Sequence, residues 1–410
     1  MMTRRIFLKN GSLALVSLGF APAFVARAAQ AAQSRRKILV TVFQRGAVDG
    51  LNMVVPYGEK AYYTSRPSIA IPRPGTDGAV DLDGFFGLHP RMGSLLPLYK
   101  NGSLAVVHAC GSHDETRSHF DAQDYMESGT PGVKSTRDGW LNRYLHAKEH
   151  EGDPNSPFRA VALAPNLPRS LQGSAPALAI GTLAQFGVRA GGATEMMSNS
   201  FEAQYASAAD SLLAPTGREA FDAVKKMKAA DPASYAPANN AEYPRSGFGE
   251  AMKQIAQIVK ADLGLEVAFA ELGQWDHHTN EGSTQGQIAN RLDDFARGLS
   301  AFATDLGDRM ADVVVVTMSE FGRTVKENGN RGTDHGHGNA MLILGGPVKG
   351  GKVYGKWPGL EQNQLYQGRD LAITTDFRDV FAEVVTGHLG ARDISKILPG
   401  YAYKQKLGFV

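Results

Sequence analysis

The chain has 410 residues and a formal net charge of +2 with both signs interspersed, which excludes a basic nucleic-acid-binding face and an acidic tail. Its one cysteine, Cys110, excludes an internal disulfide and a thiolate-type structural zinc site. Any metal would be held by nitrogen and oxygen donors.

Met1 to Ala32 reads as a targeting segment. Thr3-Arg4-Arg5-Ile6-Phe7-Leu8-Lys9 is a twin-arginine signature, followed by the apolar stretch Leu13 to Val25 and the small-residue run Ala26-Arg27-Ala28-Ala29. An apolar stretch broken by Gly19 and Pro22 is too short to span ~30 Å of hydrocarbon. The expected product is a periplasmic or secreted protein that engages the twin-arginine export machinery and has no stable membrane span in the mature chain. The remainder, 33–410, is taken as a single α/β domain.

In chain order, short apolar runs predict strands buried on both faces: Lys37 to Phe43, Leu104 to Cys110, Ala160 to Leu163, Glu266 to Leu272, Asp312 to Met318 and Ala340 to Leu344. Cys110 closes the second run and reads as a buried strand residue. Helical patterns lie between them at Phe120 to Ser128, Phe201 to Ala229, Phe248 to Leu263 and Gln285 to Leu306. The Pro- and Ala-rich stretch Asp231 to Pro244 reads as a surface loop. This alternation predicts a doubly wound, mostly parallel sheet flanked by helices.

Sites in such sheets form outside the carboxyl ends of the strands. Four turns occupy that position: Arg45 to Asn52, Gly111 to Phe120, the turn carrying Asp276-His277-His278, and Ser319 to Thr324. With Thr333-Asp334-His335-Gly336-His337-Gly338 they gather imidazoles and carboxylates, ligands that suit zinc, manganese and iron. Each candidate has a plain structural alternative. Asp49 before Gly50 also suits a tight turn, and Glu320 after four valines needs a cation, with Arg323 as a possible ion-pair partner. Ser118 suits a helix N-cap or a nucleophile at the positive end of a helix, with Arg117 beside it to hold an anionic ester group. His113 and His119 read as supporting polar residues or solvent-facing ones.

Val42 to Asn52 with Val55-Pro56-Tyr57, Leu88-His89-Pro90, Arg117 to Asp121, Trp275 to His278, and Ser319 to Thr324 with Asp334 to Gly338 together resemble the exported domain-of-unknown-function family 1501. That family resembles the alkaline phosphatase and sulfatase superfamily. The resemblance implies an alkaline-phosphatase-like fold and a metal-dependent hydrolase of sulfate or phosphate esters, acting on a small-molecule or glycan ester. It makes Asp49 a metal-bridging aspartate, Ser118 the nucleophile, and Arg117 or Arg323 the groups that neutralise the transferring anion. Asp276 and His278, Glu320, Asp334, and His335 or His337 complete the implied ligands of one or more divalent ions, whether zinc, manganese or calcium. Phe321 stands where the superfamily pattern has a ligating histidine and cannot coordinate a metal. The competing expectation is therefore a non-catalytic periplasmic binding protein that keeps the fold. An oxidoreductase is not supported, since no dinucleotide fingerprint is present.

Overall fold

A computed structural model of the chain describes residues 36–148, 156, 158–183, 234–403 and 406–410. The targeting segment and the helix expected at Phe201 to Ala229 lie outside the described residues, as do the first residues of the loop expected at Asp231 to Pro244.

The strands are β1 (Ile38–Gln44), β2 (Val54–Val55), β3 (Val80–Asp81), β4 (Gly87–Leu88), β5 (Leu104–Gly111), β6 (Ala160–Ala162), β7 (Leu178–Ala179), β8 (Val267–Leu272), β9 (Val313–Met318), β10 (Asn339–Gly345), β11 (Val353–Tyr354) and β12 (Thr375–Asp376). Nine of them form one sheet in the order β11-β5-β10-β9-β1-β8-β6-β7, with β12 also paired to β5, while β2, β4 and β3 make a small separate sheet. All six strands expected from the apolar runs are present. Each side chain of β1 is buried, and alternate residues enter opposite layers. Ile38, Val40 and Val42 join the cluster that includes the helices Gly247–Lys260 and Gln287–Leu306. Leu39 and Phe43 join the one that includes the helices Trp140–Ala147 and Phe377–Glu383. The valines Val313 to Val316 of β9 are likewise split between the layers and buried, each stabilising the fold by roughly 1.5–3 kcal/mol relative to exposure.

Strand direction decides where the loops go. Strand β1 is parallel to both β8 and β9. Only β10, among the strands of the large sheet, opposes its neighbours: it is antiparallel to β9 and to β5. Strand β5 therefore runs with β1, β8 and β9, and the turns after all four leave at one edge. The reversed β10 brings its own N-terminal approach, Thr333 to Gly338, to that same edge.

Candidate metal centre

The loop after β5 is folded by its own side chains. Ser112, Asp114 and Thr116 each accept a hydrogen bond from the backbone N–H two residues on, at 3.2, 2.8 and 3.2 Å. This series of turns leads to Ser118 at the N-cap of the helix His119–Ser128, so His119 is its first helical residue. The turn after β8 carries Asp276 and His278. It passes so close to the turn after β1 that a Cβ on Gly46, at φ +111°, would sit 3.0 Å from the backbone nitrogens of Trp275 and Asp276. The segment after β9 pairs with the approach to β10: Thr324 N–H donates to Asp334 O at 2.9 Å and Gly322 N–H to His337 O at 2.9 Å. Gly336 permits this pairing, because a Cβ there would meet the backbone of Arg323 at 2.3 Å.

These loops bring four donor groups together. The Nε2 atoms of His119 and His335 are 3.0 Å apart, and those of His278 and His335 are also 3.0 Å apart. The Asp276 carboxylate lies 2.9 Å from His278 Nε2, 3.2 Å from His335 Nε2 and 3.4 Å from His119 Nε2. Donors held at ~2.1 Å around one tetrahedral ion stand about 3.4 Å from each other, a spacing that His335 and Asp276 show to each of their neighbours, with His278 joined to the group through these two. Single donor atoms of His119, Asp276 and His335 all lie within 4.8 Å of one another.

The other nitrogen of each ring faces an acceptor. His119 Nδ1 meets Glu320 Oε1 at 2.8 Å, His335 Nδ1 meets the Arg117 carbonyl at 2.8 Å, and His278 Nδ1 meets Asp334 Oδ1 at 3.1 Å. Carboxylates and carbonyls only accept, so all three Nδ1 atoms donate and the Nε2 atoms are left facing one another. Imidazole Nε2 atoms and the Asp276 carboxylate therefore share one small space. Nitrogen and oxygen donors of this kind suit a divalent metal ion.

Electrostatics keep the carboxylates ionised. Burial would push the Asp276 carboxyl up, but the hydrogen bond and charge of Arg323, together with His278 and His119, hold it below the usual range. Arg323 Nη1 donates to Asp276 Oδ1 at 2.5 Å. Glu320 is likewise held low against its burial, chiefly by hydrogen bonds from His119 and Gln123. In turn the Glu320 hydrogen bond raises the pKa of His119, while burial lowers that of His335. With Asp276 and His278 39% and 42% exposed, solvent and solutes reach the centre.

The expected residues thus divide. Asp276, His278 and His335 converge as donors. Glu320 and Asp334, expected as ligands, instead face the Nδ1 atoms of His119 and His278, each through one oxygen. Asp49 departs from the expectation of a metal-bridging carboxylate: it is buried in an ion pair with Arg66, whose Nη2 donates to its Oδ1 at 3.0 Å, and its side chain accepts from Leu51 N–H. His337 is also turned elsewhere, stacked on Tyr366 with ring centroids 4.1 Å apart, and burial takes its pKa down to about 4. Arg323 is buried and committed to Asp276 and Thr333, whereas Arg117 donates to Gln367 and Asp370 through Nη2 alone and its buried Nε has no hydrogen-bond partner. Phe321 does not coordinate but packs beneath the rings of His119 and His335, at 4.9 and 5.0 Å. Ser118 is exposed, and its hydroxyl makes no cap hydrogen bond. His119 is the donor that reading the sequence had left among supporting residues. Its signal was present: Arg117-Ser118-His119 opens a helix directly after a strand whose turn belongs to the same edge.

The family model for a protein of unknown function, DUF1501, matches residues 36–397. The chain belongs to this family. No curated protein matches it. Among solved structures, a sulfatase from Pseudoalteromonas sp. is similar at 12% identity and a TM-score of 0.38, covering 88% of this chain and 69% of that one. The phosphonate monoester hydrolase of Agrobacterium radiobacter gives 9% identity and a TM-score of 0.32, over 90% and 79% of the two chains. The C-terminal periplasmic domain of EcEptC from Escherichia coli, in complex with Zn, gives 9% and 0.33 over 76% and 73%. Similarities of this size leave the activity of this DUF1501 protein to be judged from its own residues. No helix among its described residues is long and apolar enough to cross a membrane.

Proposed function

We propose that this protein is an exported hydrolase of phosphate or sulfate esters that works with one divalent metal ion held by His119, His278, His335 and Asp276. The observation that carries the reading is the gathering of three imidazole Nε2 atoms and a carboxylate, each ring fixed from behind by an acceptor. Three imidazoles favour zinc or manganese over calcium, which prefers all-oxygen sites. When bound, such an ion supplies Lewis acidity and positive charge toward an anionic ester.

The chain's own groups would do the rest. Ser118 is the proposed nucleophile, an exposed hydroxyl next to His119 that is not spent on capping its helix. The uncapped N–H groups of that helix start would help to hold the anion, a task that Arg323 does not share while it is engaged with Asp276 and Thr333. That engagement favours a second reading, a metal-loaded periplasmic protein that binds a ligand without turning it over.

Protein purified from the periplasm without added metal separates the two. About one zinc or manganese per chain with hydrolysis of an aryl phosphate or aryl sulfate supports the enzyme. Metal without turnover across a broad ester panel supports the binding protein, and absence of metal refutes both.

A further inference from the structure

Behind the donor cluster lies a buried group of charges. Arg66 and Glu281 are fully buried and Asp49 nearly so. Arg66 spends its five N–H donors on Asp49 (two), Asn52 Oδ1, Val325 O and Thr324 O, leaving none for Glu281. Glu281 instead meets Thr333, whose Oγ1 donates to its Oε2 at 2.9 Å, Asn52, whose Nδ2 approaches its Oε1 at 3.5 Å, and the Asp49 carboxylate, with which it shares a hydrogen bond. Its backbone is held too, with its N–H on Arg331 O at 2.9 Å and its carbonyl accepting from Ile288 at 3.0 Å. From Thr333 the contacts run straight to the metal centre. Arg323 Nε donates to Thr333 Oγ1 at 3.1 Å, its Nη2 donates to Thr333 O, and its Nη1 reaches Asp276.

We propose that Glu281 is a positioning residue for the metal centre, a neutral buried carboxylic acid that fixes Thr333 and so the guanidinium of Arg323 against Asp276; this rests on the metal-centre reading above. The charge balance favours the neutral form, since two buried carboxyl groups, Asp49 and Glu281, share the one cation Arg66, whose N–H donors all go to groups other than Glu281. Burial and the Asp49 charge both push the Glu281 carboxyl well above the usual range, in the same direction. Without the strut, Thr333 and Arg323 gain freedom, and Asp276 must be ordered when the ion binds. Groups that hold ligands from behind typically contribute ten- to hundred-fold to metal affinity.

The test compares zinc affinity, by competition against a chelating dye, in the full-length mature wild type, Glu281→Gln, Glu281→Ala and Thr333→Val, with thermal unfolding of each metal-free protein alongside. Gln reproduces a neutral acid in shape and hydrogen bonding, so Glu281→Gln should bind zinc nearly as the wild type does. Glu281→Ala and Thr333→Val should bind it ten- to hundred-fold more weakly while still folded. If Glu281→Ala does not fold, Thr333→Val carries the test. Wild-type affinity in the truncated variants, or a loss in Glu281→Gln as large as in Glu281→Ala, overturns the proposal. A wild type that takes up no zinc overturns the metal-centre reading itself, and that result appears in the wild-type arm alone.

Discussion

Replacing Glu320 by glutamine distinguishes a group that orients a ligand from one that is a ligand. Glu320 Oε1 accepts from His119 Nδ1, Gln123 Nε2 and Gly46 N–H, each at 2.8 Å. A glutamine carbonyl can keep these three donors but not the negative charge. Hydrogen bonds to a charged group contribute about 1.5–3 kcal/mol and neutral ones about 0.5–1.5 kcal/mol, so the His119 contact should weaken by about 1–1.5 kcal/mol. At about 1.4 kcal/mol per decade, zinc affinity should fall roughly tenfold. Glu320→Ala strands the three donors and should approach a hundredfold loss, with a measurable loss of stability. Titration of dialysed protein against a chelating dye reads the affinity, and zinc per chain reads the stoichiometry. Wild-type affinity in a folded Glu320→Ala would refute the orienting role. Complete loss of zinc in Glu320→Gln would make Glu320 a direct ligand.

Three further outcomes are expected. Ser118→Ala should change stability in urea by no more than about 0.5 kcal/mol, because no cap bond is lost, yet abolish any ester turnover; a loss near 1 kcal/mol would restore the capping role. Asp49→Asn should destabilise by roughly 3 kcal/mol in the same assay, since it leaves the buried Arg66 without its carboxylate, and an unchanged midpoint would refute the pairing. The raised pKa of His119 means that its contribution to metal-free stability is full below its ordinary value of 6.5 and fades as pH rises through the folded value. Zinc reverses this sign, because protons compete with the ion for the rings, so zinc's stabilisation should grow with pH; thermal unfolding of metal-free wild type, zinc-loaded wild type and metal-free His119→Ala across pH checks both slopes.

Much of the fold was legible because buried parallel strands are written as uninterrupted apolar runs. Val313 to Val316 or Ile38 to Phe43 can be little else, and the common edge followed from their direction. The donor loops were legible too, but not the division of labour within them. Glu320 and Asp334 stand beside the donors in sequence, and which oxygen meets a metal and which meets an Nδ1 proton depends on rotamers set by the paired loops. Phe321 conveyed the loss of a ligand but not its use as a wall under His119 and His335. Asp49 misled because its partner, Arg66, follows a short helix and carries no periodic mark of the pairing.

The reversed strand β10 has a consequence for how the chain is tied together. It draws His335 next to His119, 216 residues earlier, on an edge where Asp276 also arrives from a different loop. An ion shared by the three is a cross-link that closes very long loops, the kind whose closure takes the most entropy from the unfolded chain. With only Cys110 the polypeptide has no internal disulfide to do this. A metal held there would be such a clasp, and a chelator would then do to this protein what a reductant does to others.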